Sequence, residues 1–371
     1  MLGRSISESV VSAKRVAVVG AGVNGVSIAT ACASLGHQVQ LFDESTPFDQ
    51  TSSASSRMLH GGIRYIEQGH IGLVREALIE RDGWLKFAPN ATRVERFYFP
   101  VYQGAKRGRW LLFVGTLIYQ WLAGRFSVGP SQLHSTEGLK QVFPNLAAQG
   151  LRGGASYCDV VMDYEPLIQC LIDEARQQGV SIIENTRIER LYREGRIDTA
   201  DQTLEFDRVI NAAGPWAARL LDASGIDSDF TIDHVRGSHL IVKASFPNAL
   251  VLQAPGERRI IFVIPLDSEH VLLGTTEHKH DLPDPIVCTD AERAYLLEIL
   301  NQHLSQPLST TDIVSSFAGV RPIVRPRDAA PGDMSSASRD SEIEISDRLI
   351  SVFGGKWTSA RHLGEKVAAL V

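Results

Sequence analysis

The first apolar pattern along the chain is a short uninterrupted run, Val16 to Val19, which predicts a buried strand. A glycine-rich turn and a helical pattern from Val26 to Leu35 follow, and Gly36 ends that helix. Gln38 to Phe42 predicts a second strand. A strand, a helix and a strand in this order predict a parallel sheet with a right-handed crossover.

Later segments repeat both kinds of pattern. Helices are predicted at about 73–87, 166–178, 290–304 and 359–370, and strands at 180–183, 209–212 and 349–353. Residues 239–276 are rich in β-branched runs separated by turn residues, which predicts an antiparallel sheet. We therefore expect an α/β fold: a discontinuous Rossmann-like nucleotide-binding domain at 1–92, 151–232 and 313–371, with an inserted α+β substrate domain at 93–150 and 233–312.

Composition narrows the class of protein. The 371 residues are 44% hydrophobic, with 37 basic and 43 acidic side chains, so the formal net charge of −6 suggests no broad nucleic-acid surface. The four cysteines are scattered and form no Cys-x-x-Cys pair, which argues against a disulfide framework or a zinc ribbon. His278 to Asp281 is expected to be a solvated charged loop, and no metal site is expected. Without a signal-peptide pattern, we expect a cytoplasmic protein.

One uncharged segment leaves two interpretations open. Trp110 to Ala123 carries no charge and is shorter than the roughly 20 residues that span a bilayer. It is flanked by basic residues: Lys106, Arg107, Arg109 and Arg125. The segment is either a buried helix or a peripheral contact with the inner face of the membrane, where basic flanks meet anionic lipid.

A glycine motif directly follows the first predicted strand. Gly20, Gly22 and Gly25 form G-x-G-x-x-G, where glycines permit a tight turn, close approach of a pyrophosphate and close helix–sheet packing. Asp43 ends the second predicted strand, where an acidic residue binds ribose hydroxyls. This context favours dinucleotide binding over glycines that serve only a turn. Asn211 to Trp216 ends another strand with small residues, and by itself it is equally typical of an ordinary strand end.

Several further segments carry a family resemblance. They are TSSASSRMLHGGIRYIEQG from Thr51, SSFAGVRPIVR from Ser315, SVFGGKWTSAR from Ser351, and the shorter VVGAGVNG, NAAGPW and VRGSHLIV. In this order they resemble the FAD-dependent, quinone-linked glycerol-3-phosphate dehydrogenases of the glycine-oxidase-like (DAO) flavoprotein superfamily. The resemblance implies a short form, because those enzymes continue into a C-terminal helical domain and this sequence ends at Val371.

The resemblance implies FAD as the cofactor. It assigns to FAD binding Gly20, Gly22, Val23, Asn24, Gly25, Asp43, Thr51, Ser52, Ser53, Arg57, His60, Gly61, Gly62, Ile188, Ala213, Gly214, Gly355, Lys356, Trp357 and Thr358. Among these, His60 to Gly62 is expected beside the flavin ring, and Ile188 beside the adenine.

The resemblance also implies the substrate and its chemistry. The C2 alcohol of sn-glycerol 3-phosphate, or of a related anionic 2-hydroxy compound, would give a hydride to flavin N5. The implied substrate residues are Arg64, Tyr65, Arg321 and Arg339. His239 would take the hydroxyl proton, and Lys356 and Arg321 would stabilise negative charge.

Three departures from the family pattern keep other functions open. Tyr164-Glu165-Pro166 replaces an Asp-Ala-Arg, Trp357 to Ala360 differs from the usual C-terminal signature, and the helical domain is not in the sequence. An amine or 2-hydroxy-acid oxidase of the same superfamily, or a non-catalytic FAD-binding subunit, therefore remain alternatives. Quinone, dioxygen and a partner protein all remain open as electron acceptors.

Overall fold

The computed structural model describes residues 12–254, 257, 259–329 and 341–371. Its α-helices are α1 (Val23–Ser34), α2 (Ile71–Phe87), α3 (Arg109–Ala123), α4 (Thr136–Val142), α5 (Tyr164–Gln177), α6 (Ala217–Ala223), α7 (Asp290–Asn301) and α8 (Ala360–Ala368). Short 3-10 turns lie at Ile63–Ile66, Gly124–Phe126, Gly214–Trp216, Thr310–Asp312 and Trp357–Ser359. Each predicted helix, including the uncharged segment, corresponds to a helix here.

The strands fall into two large sheets and one small one. They are β1 (Arg15–Val19), β2 (Gln38–Phe42), β3 (Met58–Leu59), β4 (Thr92–Tyr102), β5 (Gln132–His134), β6 (Leu151–Met162), β7 (Ser181–Ile183), β8 (Arg190–Leu191), β9 (Arg196–Asp198), β10 (Thr203–Glu205), β11 (Arg208–Asn211), β12 (Phe230–Lys243), β13 (Ala249–Gln253), β14 (Ile260–Pro265), β15 (His270–Gly274), β16 (His278–Lys279), β17 (Ile313–Pro326), β18 (Glu342–Ser346) and β19 (Leu349–Phe353).

The first large sheet runs in the order β18-β19-β11-β1-β2-β7. β1 pairs in parallel with β2 and β11, and β11 pairs in parallel with β19. α1 connects β1 to β2, and it packs against α5 and α8. Apolar side chains from these strands and helices form one buried core. This arrangement confirms the predicted Rossmann-like sheet assembled from distant parts of the chain.

The second large sheet runs in the order β16-β12-β15-β14-β13-β4-β6-β3, with β17 on β12 and β5 on β6. Its pairs are antiparallel except for the parallel pair of β13 and β4. β12 and β17 pair along almost their whole lengths, from Phe230 beside Pro326 to Val242 beside Ile313. The sheet continues well beyond the strand-rich region that the sequence predicts.

Three strands of this sheet bear on the predicted domain boundaries. β3, β6 and β17 belong to segments that the sequence assigns to the FAD-binding domain, and they lie in the second sheet. The proposed division of the chain therefore remains a prediction. Within the ranges that the structure describes, no helix has both the length and the apolar character needed to cross a bilayer.

Candidate active site

Two glycines where β1 turns into α1 lie in positions that leave no room for a side chain. Gly20 has a φ of +100°, and a Cβ there would lie 2.5 Å from the carbonyl oxygen of Ala212. A Cβ at Gly25 would lie 1.7 Å from the carbonyl oxygen of Gly20. Both positions therefore require glycine, since any other residue would separate α1 from the sheet.

A cavity of about 470 Å³ opens at the carboxyl ends of β1, β2 and β11, beside this turn. That edge of a doubly wound sheet is where such folds bind ligands. Many of the predicted FAD residues line the cavity: Gly20, Gly22, Val23, Asn24, Asp43, Thr51, Ser52, Ile188, Ala213, Gly214, Gly355, Lys356 and Trp357. Sequence reasoning did not single out Glu44, Phe48, Arg219 or Pro322, which line it as well.

Asp43 both shapes the turn and lines the cavity. One carboxylate oxygen accepts a hydrogen bond from the Ala21 amide at 2.6 Å, and the other accepts from the Ser45 amide at 2.9 Å. The Ser52 hydroxyl accepts from the Val23 amide at 3.0 Å, so it satisfies one donor at the start of α1. The α1 N-terminus therefore opens on the cavity with its position fixed from two sides.

The residues present fit a dinucleotide. Asn24 donates from Nδ2 to the carbonyl oxygen of Gly354 at 3.0 Å, and its buried Oδ1 has no hydrogen-bond partner in the described part of the chain. Gly355 has a φ of +88°, and a Cβ there would lie 2.4 Å from Asn24 Nδ2. Glycines therefore leave the backbone accessible on both sides of the cavity, beside the N-terminus of α1. A bound pyrophosphate requires such close approach to backbone amides and to the positive end of a helix.

Other predicted FAD residues lie outside that cavity. Gly25 lies inside α1, against Gly20. Ser53 and Arg57 line a second cavity of about 400 Å³, to which Thr51 also contributes. His60 donates its amide to the Thr358 hydroxyl at 3.1 Å, and that hydroxyl donates back to the His60 carbonyl oxygen at 3.2 Å. Two hydrogen bonds therefore join the turn from His60 to Gly62 to the C-terminal motif. Both segments are predicted to bind the same FAD, so they are expected to lie together.

Two of the departures from the family pattern contact each other. The Trp357 ring stacks on Phe48 with 5.8 Å between centroids, and it meets Trp84 and Tyr164 at 6.1 and 6.2 Å. Its indole nitrogen donates to the Ser52 carbonyl oxygen at 3.0 Å. The guanidinium of Arg57 lies 5.2 Å from the centre of the Tyr164 ring. This aromatic cluster fixes the segment that precedes Arg57.

His239, the predicted base, is 1% exposed on β12. Its Nε2 lies 2.8 Å from the Ser56 hydroxyl, and its ring stacks on Phe317 at 5.1 Å. Burial, with added repulsion from Arg321 and Arg57, lowers the pKa of His239 to about 3. The imidazole is therefore neutral at physiological pH, and Nδ1 has no hydrogen-bond partner among the described residues.

The described substrate residues of the prediction lie on two elements, β17 and the 3-10 turn at Ile63–Ile66. Arg321 on β17 donates to the Thr275 hydroxyl at 3.0 Å and lies against Gly237, where a Cβ would come within 2.6 Å of the guanidinium. Lys356 Nζ lies 5.4 Å from the centre of the Tyr65 ring. Arg64 precedes Tyr65 on the same 3-10 turn and is half-buried. Arg339 lies outside the described residues.

The sequence did not indicate a buried carboxylate, Glu292, that is bonded to the residues next to His239 and Thr275. Glu292, in the first turn of α7, accepts hydrogen bonds from the Ser238 and Thr276 hydroxyls at 2.9 and 2.8 Å. It also accepts from Arg236 at 2.9 Å and from the Thr289 amide at 3.0 Å. The Thr-x-x-Glu spacing is a readable capping box, but the bonds to Ser238 and Thr276 join segments far apart in sequence.

Comparison with known proteins identifies the family. Residues 15–370 match the FAD dependent oxidoreductase (DAO) family. A glycerol-3-phosphate dehydrogenase of Pseudomonas aeruginosa is 35% identical over 367 residues, which cover 94% of this chain and 70% of that protein. A D-erythritol 1-phosphate dehydrogenase of Brucella abortus is 30% identical over 366 residues, covering 94% and 72%.

A solved structure shares the fold. The glycerol-3-phosphate dehydrogenase of Bacillus halodurans complexed with FAD superposes with a TM-score of 0.75 at 23% identity, covering 97% of this chain and 64% of that one. The chain belongs to the DAO family of FAD-dependent oxidoreductases. The predictions of family, enzyme class and FAD as cofactor are confirmed.

Proposed function

We propose that this oxidoreductase oxidises the C2 alcohol of glycerol 3-phosphate to the ketone. The observation that carries the proposal is the buried, neutral imidazole of His239, close enough to Arg321 and Arg57 for both positive charges to act on its pKa. Such a group can take a hydroxyl proton, and guanidinium groups suit a phosphate. The dehydrogenases of phosphorylated polyols named above support this choice of substrate.

Each residue has a separate task in this proposal. Bound FAD would supply the hydride acceptor, which no amino-acid side chain provides. Arg321, with Arg64, would bind the substrate phosphate, and Thr275 would hold the guanidinium of Arg321 in place. His239 would receive the C2 hydroxyl proton on Nδ1 while its Nε2 stays bonded to Ser56.

The substrate would also improve its own base. Burial lowers the pKa of His239 most, and the positive charges of Arg321 and Arg57 lower it further. A phosphate dianion bound to Arg321 would offset the part of the shift that comes from this repulsion and so raise the pKa of the imidazole. His239 would then accept the proton more readily when a phosphorylated substrate is bound than when a neutral polyol is bound.

Flavin reduction without oxygen tests the proposal. Anaerobic mixing with glycerol 3-phosphate should bleach the flavin band near ~450 nm, and Arg321→Lys should raise KM because one point charge replaces a planar, two-pronged donor. Arg325→Lys is the matched control, since Arg325 lies on the same strand and pairs with Asp233 at 3.0 Å. Its KM should stay at the wild-type value.

A panel of substrates separates the alternatives. D-erythritol 1-phosphate, 2-hydroxy acids and amines are tested beside glycerol 3-phosphate. Reduction only by a carboxylate or an amine would refute the proposed substrate and favour an oxidase of the same superfamily. A yellow protein that no member of the panel reduces would indicate a non-catalytic FAD-binding subunit.

We propose in addition that α3 makes peripheral contact with a membrane. Its outer face exposes large apolar side chains, among them Trp121 at 78% and Leu111 at 61%. Arg109 begins the helix and Arg125 follows it, where both can face anionic lipid. Such a contact would bring the enzyme to a quinone acceptor, which oxygen-uptake and quinone-reduction assays would distinguish from dioxygen.

Vesicle sedimentation tests the membrane contact. The wild-type protein should sediment with anionic phospholipid vesicles, and Trp121→Glu should remain in the supernatant. Val287→Glu introduces the same charge at an exposed apolar residue that is not part of α3, so it should sediment like the wild type. Equal sedimentation of both variants would refute the contact through α3.

A further inference from the structure

A buried chain of hydrogen-bonded side chains connects α2, α3 and β6 to the turn at His60–Gly62. The Gly61 amide donates to the Tyr119 hydroxyl at 2.8 Å, and that hydroxyl donates to the Asp159 carboxylate at 2.6 Å. Arg81 Nη1 donates to the other oxygen of Asp159 at 3.1 Å. Tyr119, Asp159 and Arg81 are each no more than 2% exposed.

The direction of each hydrogen bond is fixed by chemistry. A tyrosine hydroxyl has one hydrogen, which Tyr119 donates to the carboxylate of Asp159 in a hydrogen bond. The hydroxyl oxygen can then accept a hydrogen bond from the Gly61 amide. Burial and the neighbouring Asp159 raise the pKa of Tyr119 well above its ordinary value, which keeps the hydroxyl protonated. The carboxylate polarises the hydroxyl and strengthens it as an acceptor.

The turn is held tightly around this bond. A Cβ at Gly61 would lie 2.6 Å from Leu78 Cγ and 2.7 Å from the Tyr119 hydroxyl. Gly62 has a φ of +73°, and a Cβ there would lie 2.4 Å from the Tyr65 ring. Glycine at both positions lets the backbone approach its neighbours, and the Tyr119 hydroxyl then fixes how the peptide groups point.

We infer that Tyr119 is a positioning residue: by accepting the Gly61 amide it sets the orientation of the His60–Gly62 turn toward the bound flavin. The His60 amide is bonded to Thr358 and the Gly61 amide to Tyr119, so two of the three amides of the turn are fixed by side chains of other segments. The inference rests on the proposed location of this turn beside the flavin. It does not depend on what contacts the outer face of α3.

A pair of tyrosine variants isolates the hydrogen bond. Tyr119→Phe removes the hydroxyl that accepts the Gly61 amide. Tyr157→Phe is the matched control, because Tyr157 is equally buried, its ring lies 5.5 Å from that of Tyr119, and its hydroxyl is not bonded to the turn. Both variants remove one tyrosine hydroxyl from the same buried cluster, and only Tyr119→Phe removes the bonds to Gly61 and Asp159.

Two readouts are compared in these variants. In the apoprotein, amide hydrogen exchange over residues 60–66 should be about tenfold faster in Tyr119→Phe and unchanged in Tyr157→Phe. In the holoprotein, the Kd for FAD should rise about tenfold and the flavin midpoint potential should shift in Tyr119→Phe alone. Neither readout requires turnover, so both can be measured even where no substrate reduces the flavin.

Defined results would overturn the inference. Equal exchange over residues 60–66 in the two variants would refute the tether. Faster exchange with an unchanged Kd and midpoint potential would refute the positioning role toward the flavin. If Tyr119→Phe does not fold, amide hydrogen exchange in the wild-type protein tests the inference. The Gly61 amide should exchange as slowly as the amides of β6, and fast exchange would refute its hydrogen bond to Tyr119.

Discussion

Replacing Glu292 by glutamine should have two effects: it should lower the free energy of unfolding, and it should shift the segments that position His239 and Arg321. The carboxylate of Glu292 accepts from Ser238, the residue before His239, and from Thr276, the residue after the Thr275 that binds Arg321. Glutamine keeps the volume but replaces one acceptor oxygen by an NH₂ donor. It also removes the charge that pairs with Arg236 at 2.9 Å.

The magnitude follows from the pKa of Glu292. Burial alone would raise this pKa, but hydrogen bonds from Thr289, Thr276 and Ser238 outweigh burial and lower it to about 2 from 4.5. A shift of that size corresponds to about 3 kcal/mol, and we take about 2 kcal/mol after allowing for solvent screening near the helix end. The folded-state pKa is depressed, so this contribution is complete above pH 4.5 and is lost as the pH falls toward 2.

Urea unfolding at two pH values measures the effect. Glu292→Gln should lose about 2 kcal/mol at pH 7 and less than half of that at pH 3, because glutamine does not titrate. Its kcat/KM for glycerol 3-phosphate should fall about tenfold. Asp290→Asn is the control, since Asp290 begins the same helix with 96% of its side chain exposed. A loss in Glu292→Gln that is equal at both pH values would refute the reasoning.

Three further substitutions test the fold and the cofactor site. Gly20→Ala should purify with little flavin, because its Cβ would collide with a backbone carbonyl; Gly36→Ala, at a φ of +88° with open space, should keep its flavin. Trp357→Leu should cost roughly 2–4 kcal/mol in urea unfolding, and a loss below ~1 would refute the role of the aromatic cluster. Arg81→Leu leaves Asp159 buried without its cation and should cost about 3–5 kcal/mol; a loss near zero would contradict a buried ionised pair.

The β1–α1–β2 unit could be predicted because its signals are local. The apolar run, the three glycines and Asp43 all lie within about 30 residues and each has one structural meaning. The structure places them as expected, with the cavity beside them. β6 could not be predicted in the same way, because it is buried on both faces and contains Gly153 and Gly154, so it shows no alternation.

The contacts that organise the candidate site join distant segments. Trp357 meets Phe48, Trp84 and Tyr164, which come from three other parts of the chain. Nothing in a single sequence indicates that such residues meet. Tyr119 likewise appears in the sequence as a tyrosine within a mostly apolar helix, and only the fold shows that its hydroxyl is bonded to Gly61.

Neighbouring strands of the first sheet come from distant parts of the sequence, which constrains the order in which the sheet can form during synthesis. β1 lies between β2 and β11, and β11 in turn pairs with β19. Asn24 and Gly354, which form the hydrogen bond across the cofactor cavity, are 330 residues apart. On the ribosome, a chain that grows at roughly 5–20 residues per second waits at least ~15 seconds between making the two walls. We therefore expect FAD capture to be a late event in biosynthesis, and until β19 is made the edge of β11 is open to unwanted strand pairing.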